Sequence, residues 1–323
     1  MQSLYLLLCY CFISCCSKAS AQEATPYMDI FYKVSEGDSL MLDAFLPRNT
    51  QAQNPFPVVI IIHGGAWVEG ERTLETIDFM RKLRAGLIGK GIAVVSIDYT
   101  LLNKTKHLPL PIADCKDAVR WVKAHAAVYN LDTANIGLWG GSAGGHLALL
   151  TAYTNDSLWT GAPELAPWSS KVNYVIDYFG PTALNKLLRT EVNGLSLFIA
   201  RVVLGKKLLA VRERLIFALT GYQIDADKEK VIETLRPYSP LQYLSTAIPT
   251  FIFHGTKDNV VPLEQSRELH RRLVAGGVPT ELIIVHKGDH GFNNISETRK
   301  DLLVEKTVQF VQSQKLPEVL PEK

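Results

Sequence analysis

The chain has 323 residues, of which 47% are hydrophobic and 20% are charged. This composition is typical of a globular protein with a sizeable core, and the length suits one large α/β domain or two small ones. The formal net charge is only +2. Because no long-range electrostatic field favours nucleic acid, we expect no nucleic-acid partner.

The first 21 residues differ from the rest of the chain. An apolar run at residues 4–16 (LYLLLCYCFISCC) is followed by Ala19-Ser20-Ala21. The run is shorter than the ~20 residues that a membrane-spanning helix needs, whereas signal peptides combine such a core with an A-x-A cleavage site. We predict a signal peptide over residues 1–21 and export of the mature chain, periplasmic or secreted. A buried N-terminal helix is the alternative.

The cysteines support removal of this segment. Four of the five lie within residues 9–16, so the mature chain keeps only Cys115. A single cysteine cannot form an internal disulfide, and the stability of the mature chain must therefore come from its core. Lipid attachment at Cys15 or Cys16 is a less favoured alternative, because FISC only loosely resembles a lipobox.

After residue 21 the chain alternates between strand and helix patterns. MDIFYKV and LMLDAFLP predict a hairpin that turns at EGDS, and FPVVIIIH is a continuous β-branched run, typical of a strand covered on both faces. Further strands are predicted at IAVVSIDY, NIGLWG, VNYVIDYFG, PTFIFHG and TELIIVH. Helices are predicted at TLETIDFMRKLRAGLIGKG, LPIADCKDAVRWVKAHAAVYN, AGGHLALLTAYT, PLEQSRELHRRLVAGG and ETRKDLLVEKTVQFVQ. This alternation predicts an α/β fold with a mostly parallel central sheet and helices on both faces.

Residues 182–237 interrupt this alternation. They separate two predicted strands and form too long a connection for a simple crossover. Because the segment has a helical pattern, we predict a helical cap or lid inserted into a single domain that spans residues 22–323. Its basic residues are expected to face solvent, with a binding patch for an anionic ligand as the alternative. They are Arg201, Lys206, Lys207, Arg212 and Arg214.

The stretch WGGSAGGHLA at residues 139–148 places one serine among four glycines. It lies where a predicted strand ends and a predicted helix begins. The pattern Gly140-x-Ser142-x-Gly144 is that of a nucleophile elbow, a sharp turn that exposes the serine hydroxyl above the carboxyl ends of the strands. Glycine fits at both flanking positions because a Cβ atom there would clash with the neighbouring chain. A phosphate-binding loop is the alternative, but the Lys-Ser/Thr pair of a P-loop is missing.

A serine hydroxyl needs a base, an acid that orients the base, and donors for the oxyanion. Asp258 follows the predicted strand PTFIFHG, and His290 follows the predicted strand TELIIVH. The order Ser142, Asp258, His290 is the order of the triad in α/β-hydrolases. The loop HGGAW at residues 63–67 follows another strand, and its small residues allow backbone N–H groups to approach an oxyanion.

Together these stretches resemble the esterase and lipase group of α/β-hydrolases, near the hormone-sensitive-lipase-like carboxylesterases and the bacterial feruloyl and acetyl-xylan esterases. The resemblance covers residues 40–312 and rests on HGGAW, SIDYTL, ADCKDAVRWV, GGSAGGHLA, SPLQYL, HGTKDNVVPLEQS and GDHGF. It implies the α/β-hydrolase fold, with Ser142 as the nucleophile, His290 as the base and Asp258 as the acid.

The resemblance also implies an oxyanion hole made by the backbone N–H groups of Gly65, Ala66 and Ala143, with Gly64 supporting the loop. Ala66 stands where many lipase relatives carry a third glycine. A backbone donor survives this change, but the assignment as a lipase is weakened. SIDYTL also has Thr100 where relatives often carry arginine, which leaves the partner of one structural ion pair open.

The other residues with polar or aromatic side chains near these motifs are expected to be structural. Asp289 adjoins His290 and cannot easily direct its carboxylate at the ring, and Glu264 lies on the following helix. Two tryptophans, Trp159 and Trp168, are expected to pack locally, with a sugar-stacking rim as the alternative. The histidines expected to fix loops or to pack are His63, His146, His254 and His286.

We therefore predict an exported serine carboxylesterase that forms an acyl-enzyme and needs no cofactor. No His/Cys/Asp cluster has the spacing of metal ligands. The favoured substrates are small acyl esters on carbohydrates, such as acetyl or feruloyl esters, and a generic short-chain carboxylesterase is nearly as well supported. The alternatives are a prolyl-oligopeptidase-like serine peptidase and a catalytically silent binding protein with a hydrolase fold.

Overall fold

The computed structural model describes residues 24–48, 54–191 and 206–314. The signal segment predicted over residues 1–21 lies outside these ranges, as do residues 192–205 of the predicted cap. Among the helices that are described, none has the combined length and apolar character that crossing a membrane requires.

The described strands form a single sheet of eight strands. The strands are β1 (Ala24–Ser35), β2 (Asp38–Pro47), β3 (Phe56–Ile62), β4 (Ala93–Ile97), β5 (Leu131–Gly141), β6 (Tyr174–Tyr178), β7 (Thr250–Gly255) and β8 (Thr280–Val285). Their order is β1-β2-β4-β3-β5-β6-β7-β8. β2 pairs antiparallel with β1 and β4, and every other pairing is parallel. The mostly parallel sheet expected from the sequence is confirmed.

The helices within the described residues follow the predicted alternation. They are α1 (Asp78–Ile88), α2 (Leu110–Ala124), α3 (Ala126–Tyr129), α4 (Ala143–Tyr153), α5 (Leu184–Leu187), α6 (Lys206–Thr220), α7 (Lys228–Leu235), α8 (Glu264–Ala275) and α9 (Glu297–Ser313). Helices α5, α6 and α7 belong to the segment that was predicted to be a helical cap.

The sheet has an apolar core on each face. Along β3, Ile60 and Ile62 belong to a buried cluster shared with α2, α4 and α8, whereas Val59 and Ile61 belong to one shared with α1 and α9. Successive strand residues point to opposite faces, so a strand buried on both sides needs an unbroken apolar run. The sequence FPVVIII meets this need.

Two helices differ from their predicted bounds by more than two residues at an end. The first, predicted from Thr73, begins at Asp78, because Leu74 is buried in the core and Arg72 binds Asp98, so tertiary contacts override the local helical pattern. The second, predicted as one helix over residues 110–130, divides at His125. There the imidazole Nδ1 lies 2.9 Å from the Trp121 carbonyl oxygen and the ring stacks on Trp121.

Candidate active site

The predicted site residues lie at one edge of the sheet. Ser142 directly follows β5, Asp258 follows β7, and His290 follows β8, while the loop at residues 63–67 follows β3. These four strands run parallel, so their carboxyl ends share an edge. Ligands of open α/β sheets bind at this edge.

Ser142 lies in a strained turn between β5 and α4. Its backbone has φ 56° and ψ −120°, and its N–H donates to the Tyr178 carbonyl oxygen over 2.8 Å. Non-glycine residues adopt positive φ rarely, and such strain is concentrated at functional sites. A Cβ atom on Gly140 would overlap the Gly144 carbonyl, and one on Gly144 would overlap the Ile62 carbonyl. The glycines therefore let two backbone segments approach closely beside the serine.

Three side chains form one hydrogen-bonded chain. His290 Nε2 lies 2.9 Å from Ser142 Oγ, and His290 Nδ1 lies 2.8 Å from Asp258 Oδ2. A carboxylate can only accept, so Nδ1 carries the hydrogen and Nε2 is left to accept the serine proton. The network thus assigns the tautomer that a general base for serine requires.

The Asp258 carboxylate is fully buried yet well provided with donors. Its Oδ1 accepts the N–H groups of Val260 and Val261 at 2.9 and 2.8 Å, and His254 Nε2 lies 3.3 Å from Oδ2. Burial alone would raise the pKa of Asp258, but hydrogen bonds from His254 and His290 outweigh it and hold the pKa well below its usual value. The carboxylate therefore stays ionised beside the imidazole.

The two neighbouring acids, Asp289 and Glu264, make no hydrogen bond to His290 or Ser142 among the described contacts. The Asp289 carboxylate accepts the N–H groups of Asn293 and Asn294 within its own loop. Glu264, at the start of α8, has a largely exposed side chain. His254 was expected to be structural. Its Nδ1 lies 2.7 Å from Ser266 Oγ, and its other ring nitrogen faces the Asp258 carboxylate.

The loop at residues 63–67 lies against the serine. A Cβ atom on Gly64 would be 3.6 Å from Ser142 Cβ. Gly65, Ala66 and Trp67 all have positive φ, at 103°, 50° and 65°. Among the described turn and loop bonds, the N–H groups of Gly65 and Ala66 have no backbone acceptor. Ala143 is the first residue of α4, where an N–H has no partner within the helix.

His63 and Tyr99 fix the base of this loop. Their rings stack with centroids 4.2 Å apart, and the Tyr99 hydroxyl lies 3.1 Å from the carbonyl oxygens of His63 and Gly64. His63 Nδ1 is 2.7 Å from the Gly64 carbonyl oxygen, and burial lowers the pKa of His63. These contacts agree with the loop-fixing role expected for His63.

Two further features bear on questions that the sequence left open. Thr100, which stands where relatives often carry arginine, donates its N–H to the buried Asp114, and the other oxygen of Asp114 lies 2.9 Å from Lys33 Nζ. Trp159 stacks on Tyr238 with centroids 5.3 Å apart, which favours local packing over a sugar-stacking rim. Trp168 is 38% exposed.

One contact was missed by the sequence reasoning. The Phe179 ring lies 4.7 Å from the His290 ring, and Phe179 has a positive φ of 47°. It follows β6, the strand between those that carry Ser142 and Asp258. The position of DYFGP at a strand end could have indicated a residue that borders the site.

A cavity of about 870 Å³ begins at Val68, the residue that follows the loop at residues 63–67. Ser142 is not among its described lining residues. They combine apolar with charged side chains and are Val68, Leu102, Asn103, Lys104, Glu213, Arg214, Phe217, Ala218, Gln223, Ile224 and Asp225. Elsewhere in the described ranges, no group of three or more His, Cys, Asp or Glu residues is arranged to hold a metal ion.

Curated relatives match much of the chain but are longer than it. Esterase LipC from Mycobacterium tuberculosis is 29% identical over 231 residues, which cover 71% of this chain and 51% of LipC. The non-reducing polyketide synthase ausA from Emericella nidulans is 26% identical over 318 residues, which cover 82% of this chain and 13% of the synthase. The chain thus spans about half, or much less, of the length of these relatives.

Solved structures match over nearly the whole chain. A truncated carbohydrate esterase from gut microbiota has a TM-score of 0.70 at 23% identity and covers 91% of this chain and 98% of its own. The propionate-bound esterase Est2 from Thermogutta terrifontis has a TM-score of 0.63 at 26% identity, covering 92% and 94%. These likenesses confirm the predicted α/β-hydrolase fold. A family model described as BD-FAE matches residues 42–273, and the chain belongs to this family of α/β-hydrolase esterases.

Proposed function

We propose that the protein is an exported serine carboxylesterase in which Ser142 is the nucleophile, His290 the general base and Asp258 the orienting acid. The observation that carries the proposal is the hydrogen-bonded chain from Ser142 Oγ through His290 to Asp258. Esterase relatives support ester hydrolysis as the reaction class.

In the acylation step, Ser142 Oγ attacks the ester carbonyl carbon while its proton passes to His290 Nε2. The negative charge that develops on the carbonyl oxygen is stabilised by the N–H groups of Gly65, Ala66 and Ala143. The tetrahedral intermediate then breaks its bond to the alkoxy oxygen. His290 returns the proton to that oxygen, the alcohol leaves, and an acyl-enzyme remains on Ser142.

In the deacylation step, His290 accepts a proton from water, whose oxygen attacks the acyl carbon. A second tetrahedral intermediate expels Ser142 Oγ, which regains its proton from His290, and the carboxylic acid is released. Asp258 stays ionised throughout, because its hydrogen bonds hold its pKa low. It therefore stabilises the imidazolium without accepting its proton.

The proposed substrates are esters with small acyl groups, carried on carbohydrates. A structural neighbour is a carbohydrate esterase, and another holds propionate. Export to the periplasm or the medium rests on the apolar run and the Ala19-Ser20-Ala21 site, and it fits a substrate outside the cell. Mature protein that begins at Gln22 would support export, whereas Met1 retained on active cytosolic protein would contradict it.

The experiment that tests the proposal is a panel of esters offered to the purified protein and to Ser142→Ala. The panel contains 4-nitrophenyl acetate, methyl ferulate, acetylated xylan and a prolyl anilide. We expect release of acetate from one or more esters, and its loss in Ser142→Ala. Cleavage of the anilide with no ester turnover would favour the peptidase alternative, and no turnover of any compound would favour the silent binding protein.

A further inference from the structure

His146 on α4 links the helix that begins after Ser142 to the loop at residues 63–67. The Trp67 side chain is buried, and its Nε1–H donates to His146 Nδ1 over 3.1 Å, with the two rings edge-on at 5.2 Å. The indole nitrogen is only a donor, so His146 Nδ1 must accept.

The opposite nitrogen of His146 fixes its tautomer. His146 Nε2 lies 2.7 Å from the Tyr238 carbonyl oxygen, which can only accept, so Nε2 carries the hydrogen. The imidazole is fully buried, and burial lowers its pKa to about 4. The ring is therefore neutral at working pH, and its Nδ1 lone pair is permanently available to Trp67.

The loop needs such an anchor because its backbone is strained. Ala66 and Trp67 are consecutive non-glycine residues with positive φ, a conformation that persists only when surrounding contacts hold it. Two contacts hold Trp67. The Leu102 N–H donates to its carbonyl oxygen over 2.8 Å, and its side chain bonds to His146.

His146 also lies one helical turn from the nucleophile. Its backbone N–H donates to the Ser142 carbonyl oxygen over 3.1 Å. One residue thus connects the backbone of Ser142 to the side chain of Trp67, which directly follows Ala66 in sequence. A shift of Trp67 would move the Gly65 and Ala66 N–H groups relative to Ser142.

We propose that His146 is a positioning residue that, through Trp67, holds the oxyanion donors of the loop in register with Ser142. The inference rests on the proposed esterase function. It assigns His146 an effect on transition-state stabilisation, beyond the packing that any buried side chain provides. Oxyanion donors bind the charge that develops in the transition state more strongly than they bind the substrate. Their displacement should therefore lower kcat more than it raises KM.

Two amide replacements separate the bonds of His146. In His146→Asn the amide group lies near the former Nδ1 position and can accept from Trp67, whereas in His146→Gln it reaches the former Nε2 position and can donate to Tyr238. We expect His146→Asn to keep kcat within about threefold of wild type. We expect His146→Gln to lose roughly 10- to 100-fold in kcat, with KM changed less than about threefold. His270→Gln, the same replacement on α8, is the matched control and should leave kcat unchanged.

Trp67→Phe provides an independent route to the same bond. It should lower kcat by a factor similar to His146→Gln, and the double variant should lose no more than either single variant, because both remove one interaction. Melting temperatures establish that each variant folds, and inhibition by a trifluoromethyl ketone of the same acyl group should weaken in parallel with kcat/KM.

Equal kcat values for His146→Asn and His146→Gln would overturn the inference. Losses that multiply in the double variant of Trp67→Phe and His146→Gln would overturn it as well. In either case, ester turnover by the wild-type protein would still uphold the proposed function. If neither His146 variant folds, Trp67→Phe decides alone, and an unchanged kcat in that variant overturns the inference. A wild-type protein without ester turnover instead marks failure of the proposed function itself.

Discussion

Asp258 accepts a hydrogen bond from His290 Nδ1 over 2.8 Å, although the two residues lie 32 positions apart in the chain. The carboxylate of Asp289, the direct neighbour of His290, is bound instead to backbone N–H groups of its own loop. Asp258 therefore contacts the imidazole because the two residues follow neighbouring parallel strands, whereas Asp289 does not contact it although it is adjacent in sequence.

Replacement of the two acids should separate their roles. Asp258→Asn should lose roughly 10³–10⁴-fold in kcat, because the amide can no longer hold the imidazole in the required tautomer or stabilise its charge. Asp289→Asn should lose about tenfold or less, since it only loosens the loop. The measurement is kcat on one activated acetyl ester, with circular dichroism to establish folding. A disabled Asp289→Asn beside a normal Asp258→Asn would contradict the assignment.

The elbow glycines give a prediction about packing. In Gly144→Ala the added methyl group would overlap the backbone carbonyls of Ile62 and His63, so one segment beside Ser142 must move. Such overpacking costs about 1–3 kcal/mol or more. We expect kcat to fall roughly 100-fold, because the shift would move both Ser142 and the donors of the loop, and removal of one oxyanion donor alone costs about 10²–10³-fold. Gly276→Ala is the control, because its methyl group would make only ordinary contacts of 3.4 and 3.5 Å. Similar kcat and melting temperatures for both variants would argue against a tightly packed elbow.

Asp177 on β6 gives a prediction about pH and stability. Its side chain is fully buried, and burial raises the pKa of its carboxyl to about 7, which the Gly180 N–H and nearby His254 only partly offset. An unfolded aspartate titrates near ~3.9. Between about pH 4 and 7 the unfolded chain thus ionises this group while the folded chain keeps it protonated, so its contribution to the free energy of unfolding falls as pH rises.

Asp177→Asn removes this dependence and keeps an acceptor for the Gly180 N–H, which lies 2.9 Å from Oδ1. The free energy of unfolding of the variant, relative to wild type, should increase from pH 4 to pH 7 by up to about 4 kcal/mol, since each pKa unit corresponds to ~1.4 kcal/mol. Urea titrations of both proteins at several pH values measure the difference. A difference that stays constant over this range would show that Asp177 titrates normally.

Acyl length gives a prediction about specificity. The cavity that begins at Val68 carries charged side chains, among them Lys104, Glu213, Arg214 and Asp225. A long alkyl chain that extended from Ser142 into this cavity would take these charges out of contact with water, which is costly. We expect higher kcat/KM for acetyl to butyryl esters than for palmitoyl esters, measured on one alcohol. Faster turnover of the palmitoyl ester would indicate a lipase.

The sequence predicted the sheet and the site more fully than the contacts that support the site. Strands such as FPVVIII are legible because burial on both faces demands an unbroken apolar run. Ser142, Asp258 and His290 could be placed because each follows a strand. The bond between Trp67 and His146 joins residues 79 positions apart through a strained loop, and no local pattern encodes such a contact.

Helix bounds were the weakest part of the prediction. The pattern from Thr73 is helical by itself, but the guanidinium of Arg72 is bound by Asp43 and Asp98, which lie on other segments. These ion pairs form only in the folded chain, where they outweigh the tendency of the local sequence to form a helix. The start of α1 at Asp78 could therefore not be read from the helix sequence alone.

Covalent labelling of Ser142 tests the central claim most directly. A fluorophosphonate reacts with a serine only when a base and an oxyanion hole activate it. After incubation with the probe and digestion, peptide mass spectrometry should place one adduct on Ser142 in the wild-type protein. Ser142→Ala should remain unlabelled, and ester turnover should be lost in step with labelling. An unlabelled wild-type protein, or an adduct on another residue with Ser142 intact and active, would contradict the account.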